Sequence, residues 1–110
     1  MRSRALLWIL LTAFALVVPI CIFAAQGDAA RGKQVFSRCA VCHGDSGEGK
    51  EAIGKAFGVK MPALSSKEVQ SLDDATLKKG IIEGKGKMKP VSLSDQEAAD
   101  VIAYLRTLKK

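Results

Sequence analysis

The chain has one histidine and one tryptophan, three cysteines and three prolines in 110 residues, and aromatics make up only 5% of it. Each shortage closes off a class of protein. A single imidazole, His43, rules out sites built on two histidines and leaves a four-ligand zinc site short of its usual donors. Cys21 lies in an apolar run, so only Cys39 and Cys42 belong to the polar remainder, too few for a disulfide scaffold. No alternating strand pattern or internal repeat is found, which denies a thioredoxin-like dithiol the βαβ setting it needs. The lysines are scattered and no aromatic-rich basic surface accompanies them, which argues against nucleic-acid binding.

What is present begins with MRSR and an uncharged run from Ala5 to Ala25 that ends in the small residues Ala24 and Ala25. This pattern reads as a signal peptide over residues 1–25, with Pro19 breaking the helix before cleavage. The alternative is an uncleaved membrane anchor, because the run reaches the roughly 20 residues that span a bilayer. The residues VPI before Cys21 make a poor lipoprotein signal. Either reading puts the remaining domain, residues 26–110, outside the cytoplasm, periplasmic or anchored facing the periplasm. Without Arg2 and Arg4 that domain carries 15 Lys and Arg against 11 Asp and Glu, a net charge of +4 suited to an acidic partner or an anionic membrane face. About 85 residues with so few aromatics make a small core. A large apolar cofactor at the centre would account for both shortages.

Three helical patterns stand out. In GDAARGKQVFSRCAVCH, Asp28 is a candidate N-cap and Val35, Phe36 and Cys39 follow at helical spacing. In SLDDATLKKGIIEG, Ser71 with Asp74 resembles a capping box and Gly84 is a stop. In SLSDQEAADVIAYLRTLKK, Ser94 with Glu97 is a capping box, and Ala98, Val101, Ile102, Leu105 and Leu108 form one face. The Gly-rich stretch from His43 to Glu68 reads as loop with a short turn near Ile53–Phe57, and GKGKMKPVS as a second loop ahead of the last helix. The chain is therefore predicted to be all-α.

The chemistry concentrates in CAVCHG, residues 39–44. Zinc would need a fourth ligand from Asp45 or Glu48, and a redox dithiol would need a strand. The remaining reading is C-x-x-C-H, the attachment motif of a c-type haem. Cys39 and Cys42 lie about one helical turn apart, so both thiols can reach one edge of the porphyrin, and His43 can ligate iron from the proximal side. On the far face, methionine is the other common ligand of electron-transfer haems. Two methionines lie beyond the apolar run, Met88 and Met61. Met88, in a Gly-rich loop restrained by Pro90, is the preferred ligand, and Met61 the alternative, otherwise a packing residue.

On these residues the chain resembles the small class I mono-haem c-type cytochromes of bacteria. The resemblance rests on Gly32-x-x-x-Phe36 ahead of Cys39-Ala-Val-Cys42-His43-Gly44, on GKGKMKP around Met88, and on Ala103-Tyr104-Leu105 in a closing helix. It implies the cytochrome c fold: three main helices with long loops wrapped around one covalently attached haem c per chain. It also implies a close crossing of the first and last helices at Gly32, with Phe36 and Tyr104 or Leu105 packed around it. A carbonyl in the loop after the motif, here Pro62, would accept a hydrogen bond from His43. The expected activity is one-electron transfer between redox partner proteins. Phe36, Leu64, Ile81, Leu93 and Leu105 would keep the iron dry, and Lys85, Lys87 and Lys89 would either form a docking rim for an acidic partner or remain solvated loop charges. The rival readings are a haem subunit or domain of a larger oxidoreductase, and a ligand-binding haem sensor or enzyme lacking a firm sixth ligand.

Overall fold

The computed structural model describes residues 26–110. The signal or anchor expectation for residues 1–25 lies outside the described residues. Within them, no helix is long and apolar enough to cross a membrane.

Six helices follow in order: α1 (Ala29–Phe36), α2 (Ala40–His43), α3 (Glu51–Phe57), α4 (Lys67–Gln70), α5 (Asp74–Glu83) and α6 (Asp95–Thr107). The three that periodicity predicts are α1, α5 and α6. Asp28 caps α1 by accepting from the Arg31 amide at 2.9 Å. The predicted helix through His43 is interrupted after Phe36. There the Ser37 hydroxyl donates to the Gln34 carbonyl, and the Arg38 and Cys39 amides reach back only three residues, tightening the chain into a turn.

The start of α5 also differs from expectation. Asp73, in extended conformation, is the N-cap and accepts from the Thr76 amide at 2.7 Å, while Ser71 donates its hydroxyl to Glu68 and closes α4. The aspartate carboxylate three residues before Thr76 outcompetes the serine placed two residues too early. At α6 the predicted capping box is complete: the Glu97 amide donates to Ser94 Oγ, and the Ser94 amide donates to Glu97 Oε2. Two short helices, α3 and α4, occupy the stretch that reads mostly as loop. The first extends the turn expected near Ile53, and the second starts at a Ser66 cap.

The centre of the fold is the crossing of α1 and α6. A Cβ on Gly32 would overlap the Asp100 carbonyl and crowd the Tyr104 Cβ, so only glycine lets the two backbones come this close. Phe36 is 3% exposed and packs against Tyr104 with ring centroids 5.2 Å apart and tilted by 54°. Phe36 joins Ile81, Val101, Ile102 and Leu105 in the core, where full burial of each side chain contributes roughly 1.5–3 kcal/mol. Leu64, Met88, Val91 and Leu93 pack onto this cluster but are only partly buried. The described residues form no named strand; an isolated bridge pairs Lys85 with Met88.

Candidate functional site

The turn that ends α1 delivers Cys39 to the edge of the core, and α2 carries Cys42 and His43 one helical turn further on. The Cys42 and His43 amides both donate to the Cys39 carbonyl, at 3.1 and 2.9 Å. All three side chains are half-buried, and neither thiol is in a disulfide. Burial pushes the Cys39 thiol up, against a smaller opposing pull from Arg38. Burial pushes the His43 imidazole down, which keeps it neutral, the form that ligates metals. Its Nδ1 is buried with no hydrogen-bond partner among the described residues. The bond to the Pro62 carbonyl that the resemblance implies is therefore not made in this structure.

After His43 the chain turns tightly. The Gly49 amide donates to the His43 carbonyl at 2.7 Å, and the Leu64 amide to the Gly47 carbonyl at 2.7 Å. Glu48, a conceivable zinc donor by sequence, folds back to accept from the Ser46 amide at 2.9 Å, and hydrogen bonding to its own amide and then to that of Ser46 lowers its pKa. Among the described residues no three His, Cys, Asp or Glu side chains are grouped to hold a bare ion.

The two methionines occupy different surroundings. Met88 ends a tight turn in which Lys85 and Met88 exchange both backbone hydrogen bonds, at 3.1 and 3.0 Å. Gly84, at φ +80°, precedes the turn, and a side chain there would strike the Met88 carbonyl and the Pro90 ring. The Val91 amide then bonds the Ile81 carbonyl, fastening the loop to α5. Lys89, between Met88 and Pro90, is thus accommodated without loosening the turn. Met88 packs on the same apolar cluster as Cys39. Met61 instead lies over Gly49 and Gly54 of the α3 region and helps line a surface hollow that includes none of Cys39, Cys42, His43 or Met88.

These features fit a covalently held haem. Two thiols stand one turn apart, and a half-buried imidazole that burial keeps neutral, the metal-binding form, follows them. The half-covered apolar side chains Leu64, Val91 and Leu93 supply walls for a flat apolar group. Lys85, Lys87 and Lys89 are exposed and join none of the five ion pairs among the described residues.

Three contributors escaped the sequence reading. Asp100, 2% exposed, accepts from the Asp28 amide, from Arg31 and from Gln96, holding α1 to α6. Its place four residues after Gln96 on the Tyr104 side of α6 was the available signal. Gln70 and Arg106 bind α4 to the end of α6, and no local pattern announces them.

Comparison with known proteins agrees with this geometry. The cytochrome c family profile matches residues 29–109. The chain is 37% identical over 90 residues to a thiosulfate dehydrogenase of Stutzerimonas stutzeri (strain A1501), the match covering 73% of this chain and 27% of that protein. The chain thus spans about a quarter of that relative's length. Among solved structures, the KustC0563 c-type cytochrome superposes with a TM-score of 0.61 at 25% identity, covering 72% of this chain and 98% of the other. With helices α1 and α6 crossed at Gly32, the C-x-x-C-H motif at their edge and these matches, the chain belongs to the cytochrome c family.

Proposed function

We propose that this protein is a one-electron carrier whose haem iron is ligated by His43 on one face and Met88 on the other, working between extracytoplasmic redox partners. Membership of the family brings one covalently bound haem c, electron transfer and redox partner proteins. When bound, the haem supplies the Fe(III)/Fe(II) couple. The chain's residues do the rest. Cys39 and Cys42 fix the group to the end of α1, and His43 stands ready in its neutral form. Phe36, Ile81 and Leu105 exclude water from the centre, with Leu64 and Leu93 at the margin.

The observation that carries the ligand assignment is the locked turn at Met88, which holds that side chain on the cluster touched by Cys39. Met61 is committed to Gly54 on the α3 side. A closed pair of ligands predicts a low-spin haem in both redox states. Exposure of the reduced holoprotein to carbon monoxide tests this: an unchanged visible spectrum is expected, and rapid conversion to a carbonyl adduct would favour the ligand-binding sensor or enzyme instead.

The three unpaired lysines beside Met88 suit an acidic partner surface. Residues 1–25 serve export in this reading, and the mass of the mature protein would be that of a chain starting at residue 25 or 26. An intact N-terminus would favour the anchored form. A second reading has an observation of its own. The named relative is an oxidoreductase of which this chain matches 27%, so the domain can equally serve as the haem subunit of a larger enzyme. The purified chain offered thiosulfate and a one-electron acceptor should show no turnover if it is a carrier; sustained turnover would make it the enzyme.

A further inference from the structure

Only two buried side-chain atoms among the described residues lack a hydrogen-bond partner: His43 Nδ1 and Gln70 Oε1. The second belongs to a residue with an unusual set of bonds. Gln70 closes α4, and its Nε2 donates to the Leu64 carbonyl at 2.8 Å and to the Leu105 carbonyl at 2.9 Å. Facing two carbonyls, that end of the carboxamide must be the nitrogen, so the oxygen is the buried, unpaired end. Leu64 in turn donates its amide to Gly47, in the turn that follows His43, and the Gly49 amide returns to the His43 carbonyl. Hydrogen bonds therefore tie α6 through Gln70 and Leu64 to Gly47, and two residues further along the same turn the Gly49 amide is bonded to the His43 carbonyl. Leu64 and Leu105 also belong to the apolar cluster that includes Cys39 and Met88.

We propose that Gln70 is a positioning residue for the haem: its carboxamide ties the loop beside His43 to α6 and sets an amide dipole against Leu64 and Leu105, residues of the apolar cluster on which Cys39 and Met88 also pack. This rests on reading His43 as the proximal ligand. Both amide protons are committed to backbone carbonyls, so no other neutral side chain of similar shape can replace the tie. Arg106 provides an internal control. It holds the same helix from the other side, donating to the Gln70 and Leu72 carbonyls and to Asp74, but has no bond to Leu64.

The test uses the haem-bearing protein and two variants. In the reduced wild type, the Gln70 side-chain NH₂ resonances should be displaced by the haem ring current and should exchange slowly with solvent. Gln70→Glu places a negative charge at the same point, and a buried charge near the iron favours Fe(III). The two facing carbonyls raise the pKa of that carboxyl, so the oxidised-to-reduced ratio against a fixed mediator should climb with pH, by roughly threefold or more once the carboxylate is ionised. Gln70→Leu should reorder the haem methyl NMR shifts that report the orientation of the His43 ring, whereas Arg106→Lys should lower stability and leave those shifts in place. Undisplaced Gln70 resonances in the wild type would overturn the proposal without any variant having to fold. So would an unchanged redox ratio in Gln70→Glu, or equal effects of Gln70→Leu and Arg106→Lys on the methyl shifts. Loss of the His43 reading itself would show separately, as an oxidised haem lacking a histidine ligand in its electron paramagnetic resonance.

Discussion

Where α1 crosses α6, the one buried carboxylate among the described residues, Asp100, accepts four hydrogen bonds: from the Asp28 amide, from two nitrogens of Arg31 and from Gln96. On His43 and Gln70, by contrast, lie the two buried side-chain atoms among the described residues that have no partner. The apolar residues follow the same division. Val101, Ile102 and Leu105 at the crossing are 1–5% exposed, while Leu64, Met88, Val91 and Leu93 are only half covered. The crossing is satisfied by the polypeptide itself. The loops around the motif leave apolar side chains half covered, which suits the haem that Cys39 and Cys42 are proposed to hold.

The largest expected effect comes from removing that group. Cys39→Ala with Cys42→Ala abolishes covalent attachment and leaves seven buried apolar residues among the described ones to hold about 85 residues. The variant should lose its cooperative urea transition and near-ultraviolet circular dichroism while keeping part of its helix signal. A cooperative transition like that of the holoprotein would erase the contrast between the two regions.

Gly32→Ala attacks the crossing instead. The added methyl meets the Asp100 backbone, which cannot swing away as a side chain could, and the holoprotein should lose about 3 kcal/mol in urea denaturation. Its visible spectrum should stay that of the parent below the transition, since neither Asp100 nor Tyr104, which the methyl meets, is a proposed haem ligand.

Acid probes the same crossing through Asp100. The hydrogen bond from Arg31, then that from the Asp28 amide, lowers its pKa from 3.8 to about 2. A carboxylate with a depressed folded-state pKa contributes stability that is fully present above its unfolded value and lost as pH falls through the folded one. Thermal midpoints of the holoprotein should therefore decline between about pH 4 and pH 2. Asp100→Asn should begin lower at neutral pH and decline less over that window. The smallest of these effects belongs to the α6 cap, where Ser94→Ala should cost about 1 kcal/mol by urea denaturation without altering the haem spectrum.

The same division explains what the sequence revealed. Ser94 with Glu97, Asp28, Gly84 and the C-x-x-C-H motif act within four residues of themselves, so their geometry is written locally. Gly32 and Phe36 were legible only through the family resemblance, because spacing alone makes them ordinary helix residues. The bonds from Arg31 and the Asp28 amide to Asp100 span 69 and 72 positions, and that from Gln70 to Leu105 spans 35. Partners so far apart meet only once the helices have packed, and no local pattern encodes them. The break after Phe36 was missed because Ser37 sits at helical spacing yet spends its hydroxyl on the Gln34 carbonyl.

The central claim is that Met88, held by its reciprocal turn, faces the iron opposite His43. The oxidised holoprotein should show the near-infrared charge-transfer band of a methionine–iron bond, unchanged in Met61→Ala and absent in Met88→Ala. A band that survives in Met88→Ala and disappears in Met61→Ala would contradict it.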